Sequence, residues 1–136
     1  MSRERDIAMQ YAKAIEEQRF GDAFGLMAES GTYTVIGTTP ISKTYPSKTA
    51  TIAELGAALS RFKEPPRVKF DHVIVDGDRA VLLGAGRGVG PAGRYDQPFY
   101  AFSLRIVGAE IVEIIEFLDT MMLSTALYGE YKSTVA

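Results

Sequence analysis

Two carboxylates stand in the second half of an apolar stretch rich in β-branched residues. Residues 110–120 read EIVEIIEFLDT, with Glu116 and Asp119 in the second half. A carboxylate held in an apolar pocket has its charged form disfavoured, so its pKa rises toward neutrality and it becomes a usable acid or base. Tyr33, in the run TYTVI, can donate a hydrogen bond to a developing oxyanion. His72 is the one histidine, and the one side chain whose ordinary pKa lies near neutrality. Glu116, Asp119, Tyr33 and His72 are therefore the candidate proton-moving residues. Structural alternatives stand beside each. Glu116 can pair with Arg105 or Arg87, and Asp119 can cap a helix beginning at Thr120. His72 alternates with Phe70 and Ile74, which also suits a satisfied core histidine. Tyr11, Tyr95 and Tyr100 are further phenols that can fill core or face a pocket.

Much other chemistry is excluded. There is no cysteine, hence no disulfide, thiolate nucleophile or iron–sulfur ligation. A single histidine rules out a His-rich metal site within one chain, and no EF-hand spacing is present, so no metal or organic cofactor is expected. The formal charge of -2, without a basic block, argues against a nucleic-acid partner. No apolar run approaches membrane-spanning length. The charged start MSRERDIAMQ lacks the apolar core of a signal peptide, so a cytoplasmic location is expected.

The elements that must position these residues follow from periodicity. Residues 3–19 read as an amphipathic helix with Ile7, Tyr11 and Ile15 on one face. Gly21-Asp22 ends it, and Asp22 can cap a short helix through Met27. Thr32–Ile36 is a first strand, and 37–50 a long loop with two prolines. Thr51-Ile52-Ala53-Glu54 fits a capping box, and Pro65-Pro66 stops the helix it starts. Val68–Val75 and Arg79–Gly88 are strands joined at Asp76-Gly77. Residues 89–94 connect to Tyr95–Val107, where Pro98 suggests a bulge or an edge. Gly108-Ala109 turns into the last strand, over 110–120, rich in β-branched residues and read as a central strand buried on both faces. Gly88 to Gly93 matches GxGxxG formally, but no helix follows to receive a pyrophosphate. Gly84, Gly86 and Gly88 leave one face of their strand without side chains, open to a close backbone or a ligand.

These elements give one α+β domain over residues 1–136. Its sheet is curved and antiparallel, wraps around the N-terminal helices and encloses a pocket. Three stretches carry a family likeness: QRFGDAFGLMAESGTYTV, VDGDRAVLLG and FYAFSLRIVGAEIVEIIEFLDT. In that order and spacing the chain resembles the cone-shaped nuclear-transport-factor-2-like proteins, above all SnoaL-like polyketide cyclases and relatives of ketosteroid isomerase. The resemblance implies a deep conical pocket and a homodimer through the outer face of the sheet. In limonene-epoxide-hydrolase-like members an acid at the end of the final strand is the general base, which Asp119 matches. Tyr33 matches a tyrosine that holds the water. Val35 replaces an asparagine of those enzymes, and their Arg-x-Asp pair is not reproduced. The isomerase's two catalytic acids fall near Val35 and Phe102, and its helix tyrosine near Ala14, one turn from Tyr11.

The expected activity is cofactor-independent acid/base chemistry: isomerisation, cyclisation, or lyase or dehydratase chemistry. Its substrate is a small hydrophobic, aromatic or polycyclic molecule. Tyr11, Tyr95, Tyr100 and Phe102 are expected to bind it, with Ile114, Leu118 and Arg87. The alternative is a non-catalytic ligand-binding or dimeric scaffold domain with the acids tied up in ion pairs.

Overall fold

The computed structural model describes residues 2–135. The chain opens with α1 (Arg3–Glu16), capped by the Ser2 side chain, which accepts from the Arg5 N–H at 3.1 Å. Its buried face carries Ile7, Tyr11 and Ile15, the predicted stripe. α2 (Phe20–Gly25) follows, with Asp22 inside its first turn rather than at the cap. β1 (Met27–Val35) begins five residues earlier than the strand predicted at Thr32. The long loop contains a short edge strand, β2 (Lys43–Tyr45). An interrupted helix comes next: α3 (Lys48–Ala50), a π-helical segment (Thr51–Leu55) and α4 (Gly56–Ser60). Its cap is Ser47, whose side chain accepts from the Ala50 N–H, not Thr51. Thr51 is buried and donates to the Ser47 carbonyl instead.

Four long strands then follow: β3 (Glu64–Asp76), β4 (Arg79–Val89), β5 (Arg94–Val107) and β6 (Glu110–Phe117). Pro65 and Pro66 lie at the start of β3, a sheet-edge position where a missing N–H is tolerated. Gly77 and Gly108 each adopt positive φ in the two-residue turns of their hairpins. The last helix is α5 (Thr120–Tyr128).

The sheet order is β2-β1-β6-β5-β4-β3. The hairpins from β3 to β6 are antiparallel as expected, but β1 and β6 run parallel, so the sheet is mixed. Adjacent antiparallel strands need only a turn; a parallel pair needs a long crossover, supplied here by everything between β1 and β6. Strand β6 is central, as its composition implied, though only Ile111 and Ile114 are fully buried. Helix α1 packs across β3, β4 and β5, and the core lies between them.

Bulges bend the sheet and set the phase of each strand. One lies on β3 at Asp71, one on β5 at Pro98-Phe99 and one on β6 at Val112. Each inserts an unpaired residue and reverses the faces of the residues beyond it. Gly86 is fitted to the result. A Cβ built on it would meet the Tyr100 ring at 2.7 Å and Val68 at 3.2 Å. The bare strand face is thus taken up by a ring and a neighbouring strand, not by a dinucleotide; β5, not a helix, follows the glycine-rich turn. Gly86→Ala is expected to destabilise the fold by about 1–3 kcal/mol, as overpacking of a filled core does, measured by chemical denaturation.

Candidate active site

The bulge at Val112 decides what β6 presents to the interior. Past it, Ile114 and Glu116 share the inward face. Glu116 pairs in register with Val35 of β1, and Ile114 with Tyr33, so Tyr33 lies diagonally beside Glu116 on the same face. The Tyr33 hydroxyl donates to Glu116 Oε1 at 2.5 Å, short for a phenol–carboxylate bond. Among the described residues no other side chain donates to this carboxyl.

Nor has Glu116 a cationic partner among them. Arg105 pairs with Asp78 at 3.1 Å and Arg87 with Asp96 at 3.6 Å, so neither ion pair considered from the sequence forms. Burial pushes the Glu116 carboxyl up to about 7, against the opposing pull of the Tyr33 hydrogen bond. At neutral pH the group is divided between its acid and its base. The phenols around it feel the same burial. Tyr33 and Tyr100 are driven well above the ordinary tyrosine value, first by desolvation and then by neighbouring phenols and Glu116. Tyr45 is pushed up to about 12 by burial and by the charges of Glu54 and Glu116. These phenols stay protonated and serve as donors.

A second polar pair stands on β5. The Tyr95 and Tyr100 hydroxyls are hydrogen-bonded to each other. Residues five apart in an unbroken strand face opposite ways; the Pro98-Phe99 bulge puts both inside. Two hydroxyls sharing one bond leave one phenolic proton free. Gln97, fully buried, clamps the Asp119 backbone through two 2.8 Å bonds and fixes the start of α5.

These groups line a cavity of about 60 Å³. Its walls include Tyr33, Glu116, Tyr95, Tyr100 and Phe102, with Phe24 and Phe62 closing it from the helical side. Glu116 is the one carboxylate in the lining, which holds no Lys, Arg or His. The volume accommodates roughly four waters or a compact molecule. Pockets for drug-sized ligands run to about 300–1,000 Å³, so the enclosed part of this cavity is small beside them.

Several expected site residues lie elsewhere. Asp119 is exposed and caps α5, accepting from the Met121 and Met122 N–H groups at 3.0 and 3.1 Å. Strand β6 ends at Phe117, so the chain has turned before Asp119 can point inward. His72 is exposed on the outer face, because the bulge at Asp71 breaks its alternation with Phe70. Leu118 and His72 line an outer groove with Phe99 and Phe117. Arg87 is exposed in a separate groove beside Arg67 and Arg94. Ile114 and Tyr11 are buried but lie behind the cavity wall. The helical-side walls were missed; the apolar stripe Leu55, Leu59 and Phe62 was their signal. Among the described residues no cluster of His, Asp or Glu is placed to hold a metal ion. Nor is any helix long and apolar enough to cross a membrane.

The pH dependence of stability follows from Glu116. Its folded pKa of about 7 lies above the ordinary 4.5. The folded state therefore keeps a proton that the unfolded chain has lost, and stability falls as pH rises between those values. The contribution is whole below about 4.5 and gone above about 7. Glu116→Gln should flatten that window and raise stability at pH 8 by up to roughly 3 kcal/mol, the full separation at 1.36 kcal/mol per pH unit. Urea denaturation from pH 4 to 8 measures it; an unchanged slope would show that the carboxyl is not held protonated.

No protein-family model matches the chain, and no curated protein matches it in sequence. Solved structures do. An NTF2-like protein of unknown function from Burkholderia pseudomallei superposes with a TM-score of 0.82 at 17% identity, over 94% of this chain and 99% of its own. A second, from Burkholderia thailandensis, gives 0.81 at 20%, over 93% and 98%. A hypothetical protein with a ketosteroid isomerase-like fold from Catenulispora acidiphila, in complex with trimethylamine, gives 0.75 at 17%, over 93% and 96%. At these identities the likeness is one of architecture: helices followed by a curved, unclosed six-stranded sheet. The chain has the nuclear-transport-factor-2-like fold.

Proposed function

We propose that this chain is a cofactor-independent acid/base catalyst in which Glu116 moves a proton on a compact, mostly apolar substrate. The observation that carries the reading is a half-buried carboxyl in an apolar wall, pushed up to about 7, hydrogen-bonded by Tyr33 and free of any cation among the described residues. Such a group exchanges protons at working pH, which contributes roughly 10²–10⁴ in rate when it is positioned. The Tyr95–Tyr100 pair supplies the complementary donor, its free proton available to an oxygen that gains charge. Base and donor in one apolar cavity suit a small carbonyl compound with an acidic C–H. Isomerisation, cyclisation and lyase or dehydratase chemistry share that first step.

Solvent-deuterium exchange at the α-carbon of small ketones, followed by NMR, tests this without knowledge of the final product. The wild-type chain should accelerate exchange with a pH midpoint near 7. Glu116→Gln should lower the rate by at least about 10²-fold, while Asp119→Asn should leave it within a few-fold. Retained exchange in Glu116→Gln would sink the role.

A second reading has its own support. The cavity wall carries several aromatic rings and one carboxylate, a lining that suits a small cation by cation–π attraction. The Catenulispora protein of this fold is described in complex with trimethylamine. Under this reading the chain binds a small amine without turning it over. Titration with trimethylammonium against the neutral, similarly sized tert-butanol separates the two readings: an enzyme for carbonyl compounds should not prefer the cation.

The homodimer implied by the family likeness would use the outer sheet face. Phe99 is 85% exposed there, beside the groove formed with Phe117 and Leu118, and Ile74 is 52% exposed. Phe99→Glu should convert a dimer to a monomer in light scattering; a wild-type monomer would dismiss the arrangement.

A further inference from the structure

Tyr11 carries a polar group where an apolar one would suit the fold better. It lies on α1, fully buried, packed edge-on against Phe102 with ring centroids 6.3 Å apart. Its hydroxyl is the one buried side-chain polar atom without a hydrogen-bond partner among the described residues. Leaving such a group unsatisfied is costly, and phenylalanine would fill nearly the same space without that cost. The group it faces is informative. Tyr33 gives its own proton to Glu116, so the Tyr33 oxygen keeps lone pairs able to accept. The two phenols already influence each other directly. The Tyr11 hydroxyl meets the geometry of a hydrogen bond with no partner in this structure.

We infer that Tyr11 is a positioning residue whose unpartnered hydroxyl backs Tyr33 and strengthens the Tyr33–Glu116 hydrogen bond when Glu116 carries charge. The inference rests on the proposed role of Glu116. When the carboxyl loses its proton, the carboxylate pulls on the Tyr33 proton, the Tyr33 oxygen becomes more basic, and Tyr11 is the donor placed to answer it. Hydrogen bonds in a row polarise one another, and catalytic ones commonly tighten only when charge develops. Among the described residues no other element supplies that compensation. The titratable groups acting on this cluster are the phenols of Tyr45 from β2 and of Tyr95 and Tyr100 from β5, and none is cationic. Tyr11 does not line the cavity, so it acts through Tyr33 and not on substrate.

A purely structural tyrosine and a positioning one give opposite signatures. The test is Tyr11→Phe in the full chain, read by ¹³C NMR titration of the Glu116 carboxyl and by thermal unfolding at pH 5. Tyr11→Phe should melt no lower than wild type, since an unsatisfied group is removed. The Glu116 midpoint should rise by about half a pH unit or more, and Tyr33→Phe should raise it further. A wild-type midpoint near 7 that Tyr11→Phe leaves unmoved would overturn the inference while the proposed function stands. A markedly lower melting temperature in Tyr11→Phe would overturn it too, by showing that the hydroxyl serves the fold. A wild-type midpoint in the ordinary carboxylate range would remove both the acid/base reading and the inference built on it.

Discussion

One hydrogen bond organises this molecule: the phenol of Tyr33 on the carboxyl of Glu116. A carboxylate taken from water needs either a counter-charge or a proton. The cavity lining offers no counter-charge, and the polar side chains around Glu116 are phenols. A single donor cannot hold the ionised form as a cation would. The balance between burial, which raises the pKa, and Tyr33, which lowers it, therefore settles near neutrality instead of at either extreme. A second donor would draw the group back toward an ordinary acid. An arginine would fix it as a permanent anion, unable to return a proton.

The sheet topology is what makes that contact. Tyr33 and Glu116 are 83 residues apart and meet only because β1 and β6 are parallel neighbours. Nothing local in the sequence encodes a pairing across such a distance. The succession of the four hairpin strands was legible, as were the turns at Gly77 and Gly108, because turn chemistry acts between near neighbours. That Glu116 shares a face with Ile114 follows from alternation beyond the Val112 bulge, but which of the acids turns inward was not legible.

Bulges account for much of the remainder, which could not be read. A period-2 pattern carries no mark of an inserted residue, so each bulge silently reverses every assignment on one side of it. His72 is the clear case: one unpaired residue, Asp71, moves it from the interior to the outer face. Tyr95 and Tyr100 are the converse, since an odd spacing should have separated them and the Pro98-Phe99 bulge reunites them. Proline did leave a trace there, because its missing N–H is tolerated where the ladder is broken. The size of the cavity was beyond reach for a different reason. Phe24 and Phe62 approach it from the helical side, at a packing distance that no strand pattern specifies.

Asp119 shows how a resemblance in sequence can point to a residue that does structural work. The strand stops at Phe117 and Asp119 satisfies the open N–H groups of α5. Moving the ionisable group three residues back along the strand changes the environment more than the sequence distance suggests. Glu116 enters an apolar wall, loses part of its hydration and gains a phenol. Gln97 links the two acids in one arrangement: by clamping the Asp119 backbone it fixes where α5 begins, and α5 carries Leu123 onto the cavity wall. The exposed acid thus helps to close the space that Glu116 faces, so the helix cap and the cavity wall belong to one arrangement.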